Sequence, residues 1–362
     1  MKRIAILTHG LGADGIGTLF ANLSGYWDLS EFEVTYFLAV DVSSKQFWED
    51  MVRQNGVRII HITDLDGRKL YQWPKKLNDA FHKYGPFDAI HVNMDMLNGV
   101  NLWVAKKAGI KTRICHAHVS ENQVPNNFFK FIIKRVYISI MKQSIKRNST
   151  YKIACSSLAG DYFFGKADYL VIENGIDIEK YQKGNLNSKS YSRKMVFCTV
   201  GRIDYPKNPF FIVDVVRELC AIDNSVSFVW VGSGGMASEI KKYVNSLPEK
   251  NVIRFLGARD DVENILQRCS YFLFPSKYEG FGLVAVEAQA AGLDCFVSDM
   301  VPSDINCGKC KYISLNKSPA MWAKEIMEYI HSDEKMQLDE KKLERFDIKY
   351  MAEKLQNIYA KA

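Results

Sequence analysis

What most constrains this chain is a rhythm of short, almost unbroken apolar runs. Ile4–Thr8, Val34–Leu38, Val57–Ile62, Ala89–Val92 and Thr112–His116 are separated by stretches long enough for a helix. A strand buried on both faces reads this way, whereas a half-exposed antiparallel strand alternates apolar with polar residues. The pattern predicts a parallel sheet covered by helices on both sides. Tyr151–Ser157 and Leu170–Ile172 extend the first series, and Met195–Val200, Ser227–Val231, Val252–Leu256, Tyr271–Phe274 and Asp294–Ser298 form a second. Between the two, residues 184–193 are polar and rich in lysine, asparagine and serine, the composition of a linker. With 362 residues there is length for two cores. The expected fold is α/β, with two Rossmann-like doubly wound domains at 1–177 and 195–340, a linker at 178–194 and a helical, charged end at 341–362.

The stretch Tyr278–Glu287, Tyr-Glu-Gly-Phe-Gly-Leu-Val-Ala-Val-Glu, follows the run Tyr271–Phe274 and reads as strand, glycine turn and helix. A helix starting near Phe281 would offer the backbone amides of Phe281, Gly282 and Leu283, and the positive end of its dipole, to a phosphate. Glu279 and Glu287 flank that seat. Carboxylates repel phosphate, so they are expected to accept hydrogen bonds from sugar hydroxyls on either side of a diphosphate. That describes a nucleotide sugar. The same residues also fit a solvated surface turn with two exposed glutamates.

Other strand ends carry polar groups where doubly wound sheets bind ligands. Gly201-Arg202 closes Met195–Val200, with Lys207 five positions on, and two cations there would neutralise a diphosphate. His116-Ala117-His118 closes the run at Ile114; zinc would need a third ligand, and none is evident. Gly10-Leu11-Gly12-Ala13-Asp14-Gly15 matches a dinucleotide fingerprint in spacing, but Asp41 is its only acidic candidate at the end of the second strand. Cys307-Gly308-Lys309-Cys310 has the spacing of half a zinc site or of a redox pair, with no second pair beside it.

Glu279 and Glu287, with Gly280, Phe281 and Gly282 between them, resemble the Glu-(any seven)-Glu signature of the retaining family-four glycosyltransferases. Gly201-Arg202 followed by Lys207 resembles that family's basic loop, and Asn174-Gly175-Ile176-Asp177 its crossing point between domains. The resemblance implies the GT-B architecture, two Rossmann-like domains facing each other across a cleft, with the terminal segment returning to the first. It implies transfer of a sugar from a nucleotide-diphosphate sugar, UDP favoured, to a glycan or lipid-linked acceptor in polysaccharide or glycoconjugate assembly, without cofactor or metal. His118, with His116 as runner-up, and Glu279 would hold the donor sugar. Arg202, Lys207, Gly201 and the start of the helix would hold the diphosphate, and Glu287 the ribose. The family's Gly-Gly at the first turn corresponds to Asp14-Gly15, where Gly15 keeps the donor contact and Asp14 replaces the first glycine. Rival readings are a GT-B nucleotide-sugar epimerase and a non-catalytic nucleotide-sugar-binding partner subunit.

The net charge of +7 favours anionic partners such as a nucleotide, a lipid diphosphate or an acidic membrane face, rather than nucleic acid. Residues 128–147 hold no acidic residue, and Lys130, Lys134, Lys142 and Lys146 recur at helical spacing among Phe and Ile. The segment reads either as a basic helix lying on a membrane or as a partly buried helix with solvated lysines. Scattered cysteines, no leader-like start and no membrane-length apolar run lead us to expect a cytoplasmic protein, peripheral on the membrane if that helix docks there.

Overall fold

The computed structural model describes residues 1–65, 70–118, 128–182 and 195–362. They form two compact units, Met1–Gly175 with Ile348–Ala362, and Ile176–Asp347. Most of the expected linker, 183–194, lies outside the described residues. Its first part does not behave as linker: Ile178–Gln182 is a helix of the second unit, which buries Ile178 and Tyr181.

In the first unit, β1 (Lys2–Thr8), β2 (Phe32–Leu38), β3 (Arg58–His61), β4 (Ala89–Asn93), β5 (Thr112–Ala117), β6 (Tyr151–Ala154) and β7 (Leu170–Val171) make one parallel sheet. Their order is β3-β2-β1-β4-β5-β6-β7. The direction of winding reverses between β1 and β4, where Thr8 lies opposite Asn93, and such a reversal opens a crevice at the carboxyl ends of the strands. Ile4, Ile6, Tyr36 and Leu38 are buried, which is why these strands read as continuous apolar runs. The helix Ile348–Tyr359 closes this core with Ile348, Met351, Leu355 and Tyr359.

In the second unit, β8 (Val196–Val200), β9 (Ser227–Val231), β10 (Ile253–Gly257), β11 (Tyr271–Phe274), β12 (Asp294–Ser298) and β13 (Cys310–Ile313) form a parallel sheet ordered β10-β9-β8-β11-β12-β13. Phe197, Phe228, Trp230, Leu273, Phe296 and Trp322 fill its core. Strand β13 was not expected. It starts at Cys310, the second cysteine of the Cys307–Cys310 pair, and sets that residue opposite Cys295 on β12. All eight cysteines are free thiols, and among the described residues no three His, Cys, Asp or Glu side chains are grouped to hold a metal ion. The helix expected near Phe281 begins at Leu283 instead, because Gly282 takes φ +91°, a left-handed conformation that a helix does not continue through.

Candidate active site

The second unit reverses its winding between β8 and β11, so the loops that leave these two strands diverge and open a crevice between them. The β8 loop is fixed from both sides. Gly232 approaches it so closely that a Cβ there would lie 2.1 Å from Gly201 O. Asp204 Oδ1 accepts from Gly235 N at 2.7 Å, and Lys277 N, from the β11 loop, donates to Pro206 O at 2.8 Å. These bonds deliver Lys207 to the crevice. Its Nζ donates to Glu279 Oε1 at 2.7 Å and lies 4.5 Å from the centroid of the Phe274 ring. The side chains of Lys207 and Glu279 are only 20% and 11% exposed.

Lys207 and Glu279 therefore form one ion pair rather than opposing each other across open space. Gly201 lies against it: a Cβ on this glycine, whose φ is +145°, would meet Lys207 Cε at 3.0 Å. Arg202 stands apart, exposed, with Nη1 3.5 Å from Asp204 Oδ2. Phe281 is buried and packs edge-on against Phe346, with ring centroids 5.7 Å apart. Gly282 and Leu283 start a helix whose first amides have no intrahelical partner, as at any helix start.

Glu287 sits in the second turn of that helix and is buried. Burial pushes its pKa up to about 7; a hydrogen bond from Tyr181 opposes this, Glu263 adds to it, and Lys180 and Lys207 oppose it. Tyr181 is buried too, on the helix Ile178–Gln182, which Gln267 holds by donating to Lys180 O at 3.0 Å and Tyr181 O at 2.9 Å.

In the first unit, His118 follows β5 and is 6% exposed. Its Nε2 lies 3.0 Å from Asn93 Oδ1 and its Nδ1 3.1 Å from Asn174 Oδ1. Burial holds its pKa down at about 4, so the ring is neutral near pH 7 and donates through one nitrogen only. Asn93 spends Nδ2 on His91 O, which leaves its Oδ1 to accept from His118. His116 is fully buried and unlike a surface ligand: its Nδ1 lies 3.1 Å from His91 Nε2, whose ring continues to Tyr359 Oη at 2.7 Å.

Gly15 is exposed and starts the helix Gly15–Leu23. Asp14 caps that helix, its Oδ1 accepting from Ile16 N at 3.1 Å and Gly17 N at 3.0 Å. The carboxylate thus occupies amides that a glycine would have left open to an anion.

Residues 184–345, nearly the whole second unit, match the family described as Glycosyl transferases group 1. The second unit therefore carries a glycosyl transferases group 1 domain. The chain is 24% identical over 339 residues to EpsF of Bacillus subtilis (strain 168), which carries the name of a glycosyltransferase, with 90% of this chain and 87% of the relative covered. An Escherichia coli UDP-Gal:alpha-D-GlcNAc-diphosphoundecaprenol alpha-1,3-galactosyltransferase is 37% identical over 141 residues, 36% of each chain. The crystal structure of Anabaena Alr3699/HepE in complex with UDP and glucose superimposes with a TM-score of 0.80 over 100% of both chains at 16% identity, a likeness of fold. The two parallel-sheet Rossmann-like units are those of the GT-B class.

Three polar partners in this glycosyltransferase escaped the sequence reading. Tyr181, Asn93 and Asn174 each touch an expected site residue from 25 or more positions away. Asn174 lay within a quoted motif, but only as a marker of the domain crossing. Nothing in the sequence singles out the other two.

Proposed function

We propose that this glycosyltransferase moves a sugar from a UDP-sugar to a lipid-linked glycan acceptor with retention of anomeric configuration and without a metal ion. The observation that carries the reading is the Lys207–Glu279 pair at the winding reversal of the second unit, beside Gly201 and the helix start at Leu283. As the bond from the anomeric carbon to the diphosphate oxygen breaks, negative charge gathers on the diphosphate. Lys207 Nζ, Arg202 and the amides from Phe281 to Leu283 receive that charge, the work a divalent cation does elsewhere. Glu279 is displaced from Lys207 by the incoming phosphate and accepts from hydroxyls of the donor sugar. Glu287 takes the ribose hydroxyls, with Gly201 allowing close approach of the phosphates. The departing phosphate oxygen takes the acceptor's proton on the same face, so the reaction asks for no separate base.

UDP is supported by the HepE structures with UDP and with UDP-glucose, and a lipid diphosphate by the name of the E. coli relative. The helix Phe128–Asn148 supports delivery of the acceptor from a membrane. Its later part packs through Ile145 and Asn148, while Ile132, Ile133, Val136 and Ile140 are exposed among Lys130 and Arg135. Apolar side chains between cations are the makings of an interfacial helix on anionic lipid. Among the described residues no helix is long and apolar enough to cross a membrane.

The test is a thermal-shift comparison of UDP, GDP and ADP, followed by mass spectrometry of each UDP-sugar for hydrolysis and transfer. Stabilisation by UDP that is lost in Lys207→Ala and Glu287→Ala is expected. A folded protein that responds to none of the nucleotides overturns the reading.

A further inference from the structure

The turn after β4 is fastened from below. Asn98 is fully buried; its Oδ1 accepts from Met94 N at 2.8 Å, and its Nδ2 reaches Val92 O at 3.3 Å and His116 O at 3.4 Å. One amide thus ties the ends of β4 and β5 to the start of the helix Asn98–Lys107. Above it Asp95 is held at φ +47°, exposed at the carboxyl edge of the sheet. A left-handed backbone away from glycine persists only where its surroundings impose it, and such residues gather at working sites.

Two further groups meet Asp95 there. His9 leaves β1 beside the turn, since Thr8 pairs with Asn93; desolvation raises the pKa of the Asp95 carboxyl, and the charge of His9 opposes that. The helix Phe128–Asn148 packs over the turn and over the helix that follows it. The approach is close: a Cβ on Gly99 would lie 2.8 Å from Met141 O, and Ser144 Oγ donates to Gly99 O at 2.6 Å. Tyr137, one turn before Met141, comes within electrostatic reach of Asp95. By helical spacing it stands between the packed side, with Met141 and Ile145, and the exposed apolar side, with Ile133, Val136 and Ile140.

Resting on the reading of a lipid-linked acceptor given above, we propose that Asp95, flanked by His9 and Tyr137, binds the acceptor sugar by accepting hydrogen bonds from two neighbouring hydroxyls. A carboxylate has two acceptor oxygens and no donor when ionised, which fits a diol and rejects the acceptor's own diphosphate. The lipid then lies along the exposed side of the helix that carries Tyr137. Asp95 is already set in its crevice by Asn98, so little ordering is needed on binding.

The experiment uses the full chain with UDP-sugars and a panel of short-chain alkyl-diphosphate acceptors bearing N-acetylglucosamine, N-acetylgalactosamine, glucose or galactose. Asp95→Asn retains a residue at home in the left-handed region while removing the charge. It is expected to raise the acceptor KM by about tenfold or more, with the UDP-induced shift in Tm unchanged. Tyr137→Phe is expected to raise the acceptor KM in the same direction by a smaller factor. An unchanged acceptor KM in both variants overturns this inference alone. Failure of the wild-type chain to respond to UDP or to use any member of the panel overturns the functional reading and this inference with it.

Discussion

Lys207 Nζ stands 2.7 Å from Glu279 Oε1, and the two side chains meet from loops 72 positions apart in sequence. Each neutralises the other in a crevice with little water. Removing one leaves a largely buried charge without its partner, which costs more than the pair itself contributes. Lys207→Ala is expected to lose about 3 kcal/mol of stability, and turnover is expected to fall by roughly 10²–10³. Lys207→Met combined with Glu279→Gln restores most of the stability and none of the turnover. Denaturant melts and transfer rates on the three variants check both halves; a double variant as unstable as Lys207→Ala counts against the buried-pair argument.

Glu287 gives the second unit a pH dependence of defined sign. Its folded pKa is about 7 against a reference of 4.5, so between these values the folded state holds a proton that the unfolded state has lost. Stability contributed by the neutral acid is full below about pH 4.5 and falls as pH rises to about 7, by about 3 kcal/mol at most. Glu287→Gln removes the penalty, so its Tm advantage over wild type should widen across that window. A constant difference in Tm from pH 4.5 to 7 would sink the assignment.

The histidines of the first unit act in the opposite sense. Burial lowers His118 to about 4 and His91 to about 3, and holds His116 well below 6.5, with the rings also repelling one another's charge. Their neutral forms stabilise the fold above pH 6.5, and that stability drains as pH falls toward 4, because the unfolded chain takes up the protons first. Each histidine contributes a slope of about 1.4 kcal/mol per pH unit. His118→Gln, which retains hydrogen bonding to Asn93 and Asn174, should flatten the acid limb of a stability–pH curve by about one such slope. An unaltered limb would show that His118 is protonated in the fold.

The sheets were legible because parallel strands buried on both faces leave continuous apolar runs, as at Ile4–Leu7 and Phe272–Phe274. Strand β13 was not: Lys311 and Tyr312 are only partly buried at the sheet's edge, so Cys310–Ile313 lacks such a run. Spacing along the chain singled out Glu279, Glu287 and Lys207, since a helix start and a strand end fix where a side chain emerges. It did not show that Lys207 pairs with Glu279, or that Tyr181 backs Glu287. Those contacts depend on which loops adjoin across the sheet, and local periodicity carries no record of that. Nor did spacing show that the Arg202 guanidinium lies exposed near Asp204.

The helix Phe128–Asn148 supplies the last prediction. Ile133, Val136 and Ile140 are 68%, 53% and 56% exposed, so replacing them with glutamate removes no core contact of consequence. On vesicles containing anionic phosphatidylglycerol, the wild-type chain should sediment with the lipid, and the triple glutamate variant should lose at least about tenfold in partitioning, since each buried isoleucine or valine is worth on the order of 1.5–3 kcal/mol when fully covered. Salt should weaken wild-type binding only in part, because the charge contribution is screened while the apolar one is not. Purely zwitterionic vesicles should bind less than anionic ones. Equal partitioning of the wild type and the triple variant would place the lipid contact elsewhere and leave the exposed face of this helix for a different partner.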